Sequence, residues 1–188
     1  SELADAVFTI TSAGLEGSKA MDLLKSSAKG SVIGLGETKD IAKAATAILT
    51  AYKDTNITAA QSVNLLAKTV KEGNLEASEL APSIGKILPL AAEMGITFEE
   101  VGANVATFTR LGISASEATT SLKAVLSNLI KPGKKAQEAL AKYGLSAQGV
   151  RDSISKNGLA ATLQDLLKKF DGNTESLGHL FGSVEGFA

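Results

Sequence analysis

Interruptions at intervals of about one short helix constrain this chain more than any other feature. Leu15, Leu35, Ile57, Leu75, Ile96 and Ile113 each stand just before a helix-start signal, separated by 20, 22, 18, 21 and 17 residues. Gly95-Ile96-Thr97-Phe98-Glu99-Glu100-Val101 is the fullest example. Thr97 suits the N-cap, Glu100 closes a capping box three residues on, and Ile96 is placed to staple onto Val101. Gly112-Ile113-Ser114-Ala115-Ser116-Glu117 and Asn56-Ile57-Thr58-Ala59-Ala60-Gln61 repeat the box. Gly95 and Gly112 also suit the left-handed C-cap of the preceding helix. One helix therefore ends where the next begins, and such short links reverse the chain into helical hairpins.

Between the interruptions the apolar residues follow the helical period. Ile41, Ala45, Ile48, Leu49 and Tyr52 mark one stripe, and Leu80, Ile84, Ile87, Leu88 and Ala91 a second. Others are Val101, Val105, Phe108 and Leu111; Ala118, Leu122, Val125, Leu126, Leu129 and Ile130; and Leu163, Leu166, Leu167 and Phe170. Sustained period-two alternation is missing. With six Phe, two Tyr and no Trp, the core has to be built from Ala, Leu, Ile and Val. The expected fold is all-α: about eight to eleven helices in stacked antiparallel hairpins with short Gly-containing turns. The spacing is too variable for a tetratricopeptide or HEAT array. Pro82 and Pro89 lie inside the pattern of 77–94 and predict a bent or two-piece helix, or alternatively a hinge. Beyond a turn at Lys131-Pro132-Gly133-Lys134, shorter helices are expected around 134–143, 147–156, 159–170 and 174–182.

Several chemistries are excluded or weakened. Zero Cys removes disulfides, thiol nucleophiles and thiolate metal sites. A single His, His179, forbids a multi-His centre within the chain and makes a Ser-His-Asp triad improbable. A net charge of −1 gives no basic field for nucleic acid. The Lys131, Lys134, Lys135, Lys142 cluster has Tyr143 as its sole aromatic neighbour, too little for a stacking platform. Gly30 to Gly36 resembles a glycine-rich loop but lacks the Lys-Ser/Thr of a phosphate loop and a preceding strand, so it is read as a turn. Glu99 and Glu100 point apart on a helix, and capping accounts for Glu100. Residues 72–100 carry a balance of −5 and residues 101–170 one of +6. This pattern fits solvated helix faces or complementary association within or between copies. No catalytic, cofactor-binding or metal-binding residue is expected. The residues singled out are structural: Gly95, Thr97, Glu100, Gly112, Ser114, Glu117, Thr58 and Gln61 for capping and turns, Pro82 and Pro89 for a hinge.

A set of ordered blocks carries a family likeness. They are Ser26 to Lys29, Gly34 to Thr38 and Ala45 to Tyr52; Thr69 to Gly73, Glu79 to Ala81, Ser83 to Lys86 and Pro89 to Ala92; Gly95 to Val101 and Gly112 to Ala118; Leu122 and Leu129 to Pro132. Together they resemble the core region of phage tail tape measure proteins of the TP901 family, over about residues 1–145. The resemblance implies residues 1–145 as a tape-measure core-like helical domain and 146–188 as a helical extension cut from a longer protein, in keeping with a start at Ser1 rather than Met. It implies a non-catalytic structural component of a phage or prophage tail, helping to set tail length and nucleate tube assembly, without cofactors. The implied partners are the tail tube protein, the tail tip or a tail assembly chaperone, with room for a homo-oligomer and for membrane contact at DNA ejection. The implied location is the virion tail, assembled in the bacterial host cytoplasm. Within that role the region is either a folded docking domain or an extended section of a length ruler. From the residues alone, two rivals stand beside it: a helical protein–protein interaction module unrelated to tails, and a membrane-active fragment.

Overall fold

The structure is a computed structural model, and it describes residues 2–181. Among these there are twelve α-helices and no strand: α1 (Glu2–Ser12), α2 (Gly17–Val32), α3 (Thr38–Ala51), α4 (Ala59–Gly73), α5 (Ala77–Ile84), α6 (Leu88–Glu93), α7 (Phe98–Arg110), α8 (Ala115–Ile130), α9 (Lys134–Lys142), α10 (Ala147–Asn157), α11 (Leu159–Phe170) and α12 (Thr174–Phe181). A 3-10 turn at Lys53–Thr55 follows α3. The expected bent or two-piece helix over 77–94 is two helices. Pro82 lies inside α5 and Pro89 in the first turn of α6, but the break falls between them at Gly85 to Ile87. That split helps bring the count past eleven. Gly182 to Ala188 lies outside the described residues.

Seven of the first eight helices stand in two rows, and the short α6 packs on α3, α7 and α8. One row holds α1, α3, α5 and α8, and the other α2, α4 and α7. Consecutive helices cross from row to row, while helices within a row pack side by side. Row members start at residues 2, 38, 77 and 115, and at 17, 59 and 98. Each hairpin thus touches mainly the next, which is the packing rule of a helical solenoid. A tetratricopeptide or HEAT consensus is not needed for it. What repeats is the joint between helices, not the residues along them. Within a row, neighbours run in the same direction wherever close approaches fix it. Gly36 lies by Ala77 and Ala47 by Gly85, and Thr69 lies by Gly102 as Gly73 does by Ala106.

Most of the striped residues lie in one core. Ile41, Ala45, Ile48, Leu80, Ile84, Ile87, Leu88, Val101, Val105, Leu122, Leu126 and Leu129 are all buried. α3 is buried on most sides, because it lies between α1 and α5 and also faces α2 and α4. Two stripe members behave differently. Leu111 is 76 % exposed, because it sits past the end of α7, where the chain turns away at Gly112 and leaves the stripe. Leu167 is 37 % exposed, on the side of α11 away from buried Leu166 and Phe170. α1 also shows apolar side chains outward: Leu3, Val7 and Phe8 are exposed while Ala6 and Ile10 are buried.

The closest approach within a row is α4 against α7, and small residues permit it. A Cβ on Gly102 would collide with Thr69 Oγ1. One on Gly73 would lie 2.6 Å from Thr109 Oγ1 and 3.2 Å from the Ala106 Cα, which is backbone and cannot step aside. Gly85 is the contrast, since a Cβ there would meet only Ala47 Cβ at an ordinary 3.6 Å. Alanine gains about 1 kcal/mol over glycine within a helix, whereas overpacking costs about 1–3 kcal/mol. Gly73→Ala is therefore expected to lower the Tm by roughly 2–6 °C. Gly85→Ala should leave it unchanged or raise it, as thermal melts followed by circular dichroism would show.

Candidate functional site

The chemistry-bearing residues of this chain gather at its joints. Six helix ends close in the same way. Leu15, Leu35, Leu75, Ile96, Ile113 and Leu145 each donate the backbone N–H to the carbonyl five residues back, at 2.9–3.4 Å. The residue before each one, Gly14, Gly34, Asn74, Gly95, Gly112 or Gly144, has positive φ and donates three residues back. This double closure satisfies carbonyls that a helix end otherwise leaves open. Only a left-handed residue can make it, and Gly95, at φ +72°, does so without steric cost. The aliphatic residue that follows turns inward, Ile96 almost completely buried and the other five buried or half-buried.

The next helix opens at once. Thr58, Thr97 and Ser114 each accept the N–H of the third residue on, Gln61, Glu100 and Glu117, at 3.2 Å. The side chains of Gln61, Glu100 and Glu117 return the bond to the cap N–H at 2.8, 3.0 and 3.2 Å. Ser146 caps α10 alone, through Gly149 N–H. The Ser114 bonds hold the Glu117 carboxyl below the usual carboxylate range.

Three charged side chains reach across the fold to helix ends, two of them absent from the residues singled out in the sequence. Glu2 accepts the Thr38 N–H at the start of α3, and that bond lowers its carboxyl pKa. Glu100 uses Oε2 for its own box and Oε1 for the Leu159 N–H at the start of α11, 2.8 Å away. Arg151 donates from Nη1 to the carbonyls of Leu129 and Ile130 at the end of α8, at 3.1 and 3.0 Å. The signal that could have found the first two is a vacancy. Neither Glu37 nor Gly158 caps the helix it precedes with its own side chain, so a donor there must find a distant acceptor.

Tyr52, at the end of α3, donates its hydroxyl to the Ile96 carbonyl at 2.8 Å, in a buried setting. Burial, and then the charges of Glu99 and Glu100, push its ionisation well above the ordinary phenol range. A groove of about 460 Å³ opens beside this bond, lined among others by Ile57, Asn64, Thr97 and Glu99. Gly30 to Gly36 is the α2 terminus and its turn, with Gly30 packed against Ile41 and Val63. His179 pairs with Glu175 at 3.6 Å on α12, and Tyr143 stacks edge-on against Phe170 at 4.5 Å rather than beside the lysines. Among the described residues no group of three or more His, Cys, Asp or Glu is placed to hold a metal ion, and no helix is long and apolar enough to cross a membrane.

Residues 1–182 match the family model described as phage-related minor tail protein. The chain is 26% identical over 145 residues to the tape measure protein of Pneumococcus phage Dp-1, covering 77% of this chain and 13% of that protein. It is 28% identical over 194 aligned residues to the probable tape measure protein of Clostridium phage phiCD119, covering 98% of this chain and 21% of that protein. It thus spans about a fifth or less of the length of these relatives. No solved structure matches it significantly.

Two measurements probe the joints. Tyr52→Phe leaves the Ile96 carbonyl without its partner and should cost about 1 kcal/mol, a Tm fall of roughly 2–4 °C. In the wild-type protein, absorbance titration should find Tyr52 ionising later than free tyrosine. Because the folded pKa of Glu117 is depressed, its contribution is present above the unfolded carboxylate pKa and is lost as pH falls through the folded one. Glu117→Gln should therefore melt below wild type at pH 7, with the gap closing in acid.

Proposed function

This chain belongs to the phage-related minor tail protein family, and we propose that it serves as a folded, non-catalytic docking segment of a longer tail tape measure protein. The observation that carries this reading is the joint. At six joints one helix ends and the next starts within three to five residues, and the turn's aliphatic residue is held in a shared core. A chain designed to lie straight would have no use for such reversals. As one helix, 188 residues would reach roughly 280 Å at about 1.5 Å per residue. Folded compactly, a chain of this length has a radius of gyration near 16 Å. The segment therefore contributes little length while it is stacked. Its helix faces and turns offer a surface on which the tail tube protein, the tail tip or an assembly chaperone docks, in the virion tail assembled in the host cytoplasm. In this role it helps nucleate tube assembly, while the length-setting span lies elsewhere in the longer protein. Should the segment extend, its pivots are the Gly95 and Gly112 joints and the Pro82 to Pro89 stretch.

The test is tail length by electron microscopy after in-frame deletion of this segment from the parent phage. Tails of unchanged length, or failed assembly with the shortened protein still accumulating, are the expected results. Tails shorter by roughly 280 Å, one helical rise per deleted residue, would overturn the folded reading and make the segment a stretch of the ruler itself.

A further inference from the structure

The four helices after the Lys131-Pro132-Gly133 turn pack mainly on one another. α9 rests on α12, α10 on α11 and α11 on α12, with the Tyr143–Phe170 ring pair between them. This group lies across one end of the double row, where α10 and α12 lean on α8 and α11 on α7. Two charged side chains tie it down, and each acts on the end of a helix. Glu100, in the rows, holds the N-terminus of α11. Arg151, in the end group, holds the C-terminus of α8 through two carbonyls. An anion meets the positive end of one helix and a cation the negative end of another, so both bonds are favoured by the peptide dipoles.

Each bond also fills a place left empty locally. Gly158 has no side chain with which to cap α11. The last carbonyls of α8 have no residue ahead of them to accept from within the helix. Docking therefore satisfies groups that only water can satisfy when the group is undocked. The apolar residues of the end group are continuous with the core of the rows, so an undocked form exposes apolar surface and is a minor state.

We propose that residues 134–181 form a hinged end cap of the helical stack, latched by Glu100 and Arg151 at two opposed helix ends, which opens as one unit about the 131–133 turn while α1 to α8 stay folded. The division between cap and rows then falls ahead of α9, rather than at the 145/146 boundary expected from the sequence, because α9 packs on α12.

Hydrogen exchange read by mass spectrometry on the full chain tests this. Gln61 shows that glutamine serves a capping box at the third helical position. Glu100→Gln can thus keep its local box, but with one carbonyl oxygen it cannot also hold Leu159. Glu100→Gln and Arg151→Met are each expected to speed exchange in α9 to α12 roughly tenfold or more, the effect of losing a charge-assisted bond, and to leave α3 and α4 within about twofold of wild type. Glu117→Gln removes the charge from a box that makes no bond to the end group, and should give no selective rise there. Equal acceleration of α3, α4 and α9 to α12 by the first two variants would overturn the proposal. So would no acceleration at all, or a selective rise in Glu117→Gln as well.

Discussion

A helix that stops must place its last carbonyls somewhere, and in this protein the same turn places them six times. The left-handed residue and the aliphatic residue after it donate the two N–H groups that close the helix. The aliphatic side chain then goes into the core. Magnitudes decide which contribution matters more. A net backbone hydrogen bond contributes about 1 kcal/mol, while full burial of an isoleucine such as Ile96 contributes about 1.5–3 kcal/mol. The bonds set the angle of the turn, and the plug holds it there. Five of the six turns anchored this way lie among α1 to α8, where they aim a helix back across its predecessor and help set the two rows.

The helices were legible in the sequence because their boundary signals are local. A capping box needs only four residues, and Thr58, Thr97 and Ser114 make theirs within that span. The buried stripes were legible for the same reason, since a period of about 3.6 residues is visible in any window of four turns. Leu111 shows where this fails. It continues the spacing of Val101, Val105 and Phe108, but the helix ends before it, and periodicity does not register a change of direction.

What could not be read was long-range. The two rows depend on which helix follows another in space, and that information is spread over Gly73, Gly102 and Thr69, residues that look unremarkable among their neighbours. The reach of Glu2 to α3, of Glu100 to α11 and of Arg151 to α8 spans 36, 59 and about 21 residues. The capping box explains Glu100 so fully that its second oxygen leaves no separate trace in the sequence. The family likeness bore on identity. It said nothing about these contacts, which belong to the packing of this chain.

The row arrangement has a consequence for how the protein is made. Among α1 to α8, each helix finds its main partners within about one hairpin repeat of itself. Loop closure is therefore short at every stage, and no early segment waits for the far end of the chain. A polypeptide of this kind can condense in order as it leaves the ribosome, each new hairpin settling on the one before. Tension applied between its two ends would be borne in series, so that hairpins would peel from the rows singly rather than all together.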